Sequence, residues 1–289
     1  MLLPPNLNPR DPVRVVKEGE ELHLYQPATE KDWTKEMEGF CASATEGFSG
    51  IDGFVLKSRS PTCGFKDVRI YRGYEPSGGH EKGSGFFGGA VVEAFPGIPA
   101  EDEGRLKNWT IRDHFLTRIY TLARYRVLVE GASTIEAGAA ADNSIFPSSL
   151  TDFHSRNKLL FMSIDQNRMR SMGRLLANHG KAAWQDVARE YRGELEELLK
   201  TPPKYTDIIN TAMHAFGGLS SGLASGEKKY FLNLLEEYRD ERIPASAVYT
   251  MLKGWAIRFD NRYLLGQTFL SPYPKELTDI SDSGKGRDR

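Results

Sequence analysis

Two hydrophobic rhythms divide the chain. In the first ninety or so residues the apolar positions come in short runs: VRVV (Val13 to Val16), ELHLY (Glu21 to Tyr25), IDGFVLK and DVRIY. Runs of this length, bounded by Gly, Pro and Ser, predict strands, and the first two lie either side of a Glu18-Gly19 turn. Between the second and third, Trp33, Met37, Phe40, Ala44 and Phe48 recur at helical spacing, with Thr29 as the predicted N-cap and Gly50 to Gly53 as the stop. This strand–helix–strand order predicts a layered α/β sheet.

Past that point the period changes. The glycine-rich segment GGHEKGSGFFGG (Gly78 to Gly89) leads into AVVEAF, which reads as a short helix. The stretch NWTIRDHFLTRIYTLARYRVLVE predicts a long helix, with a Thr110/Asp113 capping box and an apolar stripe of Ile111, Phe115, Ile119, Leu122 and Tyr125. Gly131 to Ser149, rich in Ala, Ser and Gly, reads as a linker. Everything beyond it reads helical. Phe153, Leu160, Phe161 and Ile164 mark one helix, and Trp184, Val187, Ala188, Tyr191, Leu195, Leu198 and Leu199 form the clearest stripe, stopped by Pro202-Pro203. Amphipathic segments follow at Asp207–Leu219, Glu227–Arg239 and Pro244–Leu265. The expected architecture is an α/β domain over 1–130, with an incomplete mixed or parallel sheet and flanking helices. A linker at 131–149, an all-α domain at 150–277 and a polar tail at 278–289 complete it.

Composition narrows the partners. At 289 residues the chain exceeds one comfortable core, which favours two domains. With 38 Lys+Arg against 39 Asp+Glu, the net charge of -1 gives no global pull toward a polyanion or an anionic membrane. Nucleic-acid binding therefore needs a local patch. The start MLLPPNLNPRDP lacks a basic segment followed by an apolar one, and no run is long enough to span a bilayer. Two cysteines make no disulfide framework and suit a reducing compartment, so a cytoplasmic protein is expected. No CxxC or histidine-rich metal spacing occurs.

One of those cysteines sits in FVLKSRSPTCGFKD, a turn that directly follows an apolar strand. Open α/β sheets bind ligands beyond the carboxyl ends of their strands, so such a turn is where a site is built. Lys57, Arg59 and Lys66 surround Cys63, and nearby cations favour thiolate, the form that attacks electrophiles or ligates metal. Ser60 and Thr62 supply hydroxyls, Pro61 stiffens the turn, and Gly64 permits a close backbone approach. The plainer reading is that Cys63 is a small buried hydrophobe.

The segments GFVLKSRSPTCGFKDVRIY, GSGFFGGAVVEAFP, EDEGRLKNWTIRDHFLTRIYTLARYR, LTDFHSRNKLLFM and QTFLSPYPKEL together resemble a two-domain family. That family fuses a 2-thiouracil desulfurase domain to a YbgA-like helical domain, and the resemblance covers nearly the whole chain. Its most specific element is LKSRSPTCG, close to the family's Leu-Lys-x-x-Ser-Pro-Ser-Cys-Gly with Thr62 in place of serine. The resemblance implies a [4Fe-4S] cluster held by three cysteines, whose open iron takes sulfur from a thiolated nucleobase. Cys63 matches the cluster ligand and Gly64 the glycine beside it. Ser60 matches a serine placed near substrate or activated water. Lys57 and Arg59 would offset the charge of the cluster or of a developing oxyanion.

The family also carries a Cys-Leu-Gly and a Cys-Pro-Glu motif, and neither occurs in this sequence. LNPRDPVRVV resembles the segment that follows Cys-Pro-Glu, so the chain is expected to begin beyond both. A mis-assigned start, a true truncation, or cysteines from another subunit would each account for this. A sheet without its first strand exposes unpaired edge groups, which favours pairing with a second copy. Cys41 lies on the apolar side of the predicted first helix and reads as packing.

Other features are read more plainly. The GSGFFGG turn enters a helix as phosphate loops do, yet lacks their spacing and is expected to pack against the cysteine turn. His154 and His214 are the first polar candidates of the helical domain, since histidines serve as acids, bases or ligands, although a lone helical histidine is more often structural; Tyr205, Asn210 and Tyr273 also belong to the resemblance. Arg168, Arg170, Arg174 and Lys181 form a basic cluster followed closely by Glu190, Glu194, Glu196 and Glu197, the pattern of a solvated helix face. Two functions remain: a desulfurase acting on a small thiolated pyrimidine, or a binding protein whose helical domain recognises a nucleobase-containing or protein partner.

Overall fold

The first two apolar runs pair as a hairpin. A computed structural model describes residues 11–75, 79–138, 148–178, 180 and 182–278, with 132–138 described by backbone alone. Lys181, most of the expected linker (139–147) and the tail from 279 lie outside the described residues. Strand β1 (Arg14–Glu18) runs antiparallel to β2 (Glu21–Gln26) across Gly19, whose φ of 61° is a turn conformation glycine takes readily. The two-residue β3 (Lys31–Asp32) extends β2. Helix α1 (Thr34–Glu46) follows, and β4 (Phe54–Leu56) comes after it.

Strand β5 (Val68–Arg72) pairs parallel with β1 and antiparallel with β6 (His80–Gly83), giving a five-stranded mixed sheet in the order β3-β2-β1-β5-β6. Period-two alternation puts Val15, Leu24 and Ile70 on one face, all buried. Against that face pack Met37 and Cys41 of α1, with Phe86, Phe87 and Ala90 of helix α2 (Phe86–Ala94). Each large apolar side chain so buried stabilises the fold by roughly 1.5–3 kcal/mol.

Strand β4 does not join this sheet. It pairs parallel with β7 (Ala100–Asp102) in a two-stranded sheet of its own, so β4 and β5, neighbours in sequence, do not pair with each other. Phe54 and Leu56 turn inward onto Val91, Phe48 and Phe95, while Val55 between them is 60% exposed. Parallel strands are ordinarily covered on both faces.

The predicted caps move. Thr29 lies in a turn, its hydroxyl donating to Gln26 Oε1, because the chain first returns to pair β3 with β2. Helix α3 (Trp109–Gly138) is capped by Asn108, which accepts from the Ile111 N–H at 3.1 Å, rather than by Thr110. The helix continues as far as Gly138, so residues 131–138 are helical.

Between Phe115 and Leu116 the chain divides into two units. The second contains α4 (Ser148–Ile164), α5 (Gln166–Ala177), α6 (Trp184–Lys200), α7 (Tyr205–Gly217), α8 (Ser225–Arg239), α9 (Ala245–Arg258) and α10 (Arg262–Leu265). Its core is continuous, and all seven residues of the stripe on α6 are buried in it. The single amphipathic segment expected at 244–265 is two helices, because Asp260 takes φ 47° and Asn261 caps α10 through the Leu264 N–H.

Candidate functional site

The cysteine turn is built by docking on the front of α2. Four consecutive amides at the start of that helix donate to carbonyls of the turn: Gly85 to Gly64 at 2.7 Å, Phe86 to Pro61 at 3.3 Å, and Phe87 and Gly88 to Thr62 at 2.9 and 3.1 Å. Helix starts leave such donors without intrahelical partners, and here another stretch of backbone satisfies them. None of these four is left for an anion, so the GSGFFGG segment is a packing element. Its glycines allow the contact: a Cβ on Gly88 would lie 2.1 Å from the Gly64 oxygen, and one on Gly85 would lie 2.5 Å from the Pro61 oxygen.

Within the turn, three polar side chains form a line. Ser60 Oγ lies 3.1 Å from Thr62 Oγ1, which lies 3.5 Å from Cys63 Sγ. The Cys63 amide donates back to Ser60 Oγ at 3.2 Å, and the Gly64 amide to the Ser60 carbonyl at 2.9 Å. Thr62 is buried, while Ser60 and Cys63 are half-buried. Arg59, one residue earlier, takes φ 57°, a left-handed conformation that costs a non-glycine residue about 1 kcal/mol and reverses the chain into the turn.

The cations are arranged differently from their sequence order. Glu103, just beyond β7, accepts from Lys57 Nζ at 2.5 Å with one oxygen and from the Ser58 amide at 2.7 Å with the other. The Lys57 hydrogen bond and the Ser58 amide hold the Glu103 carboxyl below its usual range. Lys66 lies 3.9 Å from Glu101, which also takes Arg105 at 2.7 Å. Glu101 and Glu103 thus offset two of the three charges around Cys63, a role given by no local signal beyond an acidic run forty residues on. Arg59 is exposed and makes no ion pair among the described residues.

Cys41 is buried with Leu24 and Met37 behind Phe86 and Phe87. Burial pushes its thiol up to about 11, with smaller contributions from nearby Cys63 and Glu38. Among the described residues no three His, Cys, Asp or Glu side chains stand together as a metal site. A [4Fe-4S] cluster held by three cysteines is therefore not accommodated by these residues alone.

In the helical unit His154 Nδ1 lies 2.9 Å from the buried Tyr191 hydroxyl, and burial, followed by the charge of Lys158, lowers its pKa to about 4. His214 is exposed on α7. A polar junction went unread in the sequence. Gln267 Nε2 donates to the Ser155 carbonyl at 2.9 Å while its Oε1 accepts from the Leu159 amide at 3.1 Å, and Thr268 Oγ1 donates to Asn157 Oδ1 at 2.7 Å.

Comparison with known proteins agrees with this division. Residues 7–103 match the family model described as 2-thiouracil desulfurase, and residues 158–274 match a family described as a protein of unknown function, DUF1722. The uncharacterized protein YbgA of Escherichia coli (strain K12) is 28% identical over 129 residues, which span 44% of this chain and 76% of that protein. No solved structure matches significantly. The chain joins a 2-thiouracil desulfurase-like N-terminal part to a YbgA-like C-terminal part.

Proposed function

We propose that the N-terminal unit takes part in removing sulfur from a thiolated pyrimidine or a related small thiocarbonyl in the reducing cytoplasm. The supporting observation is the Ser60–Thr62–Cys63 line, held on a rigid turn at the end of β4 within the segment that matches the desulfurase family. Thr62 Oγ1 stands between the Cys63 sulfur and Ser60 Oγ, so in this reading the three side chains present one continuous polar edge to a thiocarbonyl. Arg59 is the cation available to negative charge developing there. Lys57, tied to Glu103, positions the turn through Ser58.

An iron–sulfur cluster, the cofactor the family resemblance implies, needs ligands beyond Cys63. In this reading they come from outside this 289-residue sequence, which holds no cysteine besides Cys41 and Cys63. The test extends the gene upstream to any in-frame start, purifies the protein without oxygen, and measures iron content with uracil and sulfide released from 2-thiouracil. The reading expects iron and uracil release that Cys63→Ser abolishes. A folded, iron-loaded protein that releases no uracil, or release indifferent to Cys63→Ser, would overturn it.

A further inference from the structure

Two cations of the helical unit meet the segment that follows Gln267. There Thr268–Leu270 form a 3-10 turn, with Ser271, Pro272 and Tyr273 after it. The bonds of Gln267 and Thr268 to α4 and the burial of Phe269, Leu270 and Tyr273 hold this segment in place. Arg124 of α3 donates from Nη1 to the Pro272 carbonyl at 2.8 Å, and Lys253 of α9 donates from Nζ to Ser271 Oγ at 2.7 Å. The Ser271 proton goes to the Leu270 carbonyl at 2.6 Å, so toward Lys253 that hydroxyl is an acceptor. Different helices thus bring positive charge to consecutive residues.

Neither cation meets an anion among the described residues. The second bond of Arg124 runs from Nη2 to Thr121 Oγ1 at 3.3 Å, again a neutral acceptor, and its Nε is enclosed with no acceptor at all. Burial alone draws this guanidinium below its usual range, with no carboxylate to raise it again. A guanidinium stays charged in a protein, and enclosing it among neutral groups costs free energy that an anion would offset. Arg124 is a strut for Pro272. A strut, however, requires neither a permanent charge nor an idle Nε–H, and it leaves unexplained a second cation one residue away. Arg124 is half-buried and Lys253 exposed, so a ligand reaches the pair from solvent.

We propose that Arg124 and Lys253 form an anion site that takes the phosphate group of a small molecule. A carboxylate paired with the guanidinium fork would leave the lysine unused, whereas a phosphate has oxygens enough to meet the guanidinium and the ammonium together. Ser271 serves by holding Lys253 Nζ in place while leaving its other N–H donors free. The inference concerns the helical unit alone, stands apart from the desulfurase reading and is tested without any turnover.

The full chain is titrated by calorimetry with inorganic phosphate, uridine 5′-monophosphate, uridine and acetate, at an ionic strength held constant with sodium chloride. The expected result is saturable binding of the two phosphate compounds with Kd of about 1 mM or tighter, and none of uridine or acetate in that range. Tighter binding of the nucleotide than of phosphate assigns the site to a phosphate monoester, and equal binding assigns it to the free ion; both support the proposal. Arg124→Gln, which keeps a donor for Pro272 without the charge, should weaken binding about tenfold or more. Lys253→Ala, at an exposed position, should weaken it about fivefold or more and decides the matter alone should Arg124→Gln fail to fold. No saturation by roughly 10 mM of either phosphate compound, ten times the weakest expected Kd, would overturn the proposal. So would acetate binding as tightly as phosphate, or binding that Lys253→Ala leaves intact.

Discussion

Gly88 lies so close beneath Gly64 that a single methyl group on the first would come within 2.1 Å of the carbonyl oxygen of the second. Both partners are backbone, so neither can rotate away. Gly88→Ala is expected to destabilise the N-terminal unit by about 3 kcal/mol and to loosen the cysteine turn. Urea unfolding followed by circular dichroism checks the first effect. The rate at which a maleimide labels Cys63 in a Cys41→Ser background checks the second, and should rise.

Gln267 completes a rung of α4. Its carboxamide donates to the Ser155 carbonyl and accepts from the Leu159 amide, two backbone groups one helical turn apart. Gln267→Ala would leave both without their side-chain partner in a buried setting, at a cost of about 2–4 kcal/mol. Thermal unfolding of the variant should show the drop, and Gln267→Glu should lose stability as well, since a carboxylate repels the Ser155 oxygen. A variant melting within a degree of the parent would refute the bridging role.

His154 makes the helical unit sensitive to acid. Its folded pKa of about 4 lies below the ordinary value near 6.5, so the folded state prefers the neutral ring. The stability this group contributes is fully present above pH 6.5 and declines as pH falls toward 4, where the unfolded chain binds a proton the folded chain refuses. The span amounts to about 2 kcal/mol after allowing for partial exposure. Measured as the difference between the parent and His154→Gln at pH 7.5 and pH 4.5, it should favour the parent less at the lower pH. A pH-independent difference would exclude this origin.

Val55 sits 60% exposed on a two-stranded parallel sheet, and its alternation leaves its amide and carbonyl on the side away from β7. An apolar side chain beside open backbone groups invites edge pairing. Val55→Lys should change stability by no more than about 0.5 kcal/mol and reduce self-association, as read by light scattering over a concentration series. Unchanged scattering in a parent that does self-associate would move the contact elsewhere.

How much of this was legible depended on how far the determining partner lies in sequence. The hairpin of β1 and β2 and the buried stripe of α6 follow from local periodicity, and both are present. Strand β6 was passed over because HEKG is polar and its pairing is set by β5, not by its own composition. The separation of β4 from β5 depends on β7, some 45 residues away, for which no local pattern speaks. Ser60, Cys63 and Gly64 come together because they are adjacent in sequence. The Glu103 clamp on Lys57 and the Gln267 bridge do not follow from adjacency, because each joins residues brought together only by the finished fold.

The Gln267 bridge also sets an order of events. Leu159 leaves the ribosome 108 residues ahead of the side chain that receives its amide. Until that glutamine emerges, α4 lacks a partner at its middle, and a nascent chain halted earlier carries a helix with an open seam. Maturation of the helical unit therefore waits on nearly the last of its own translation.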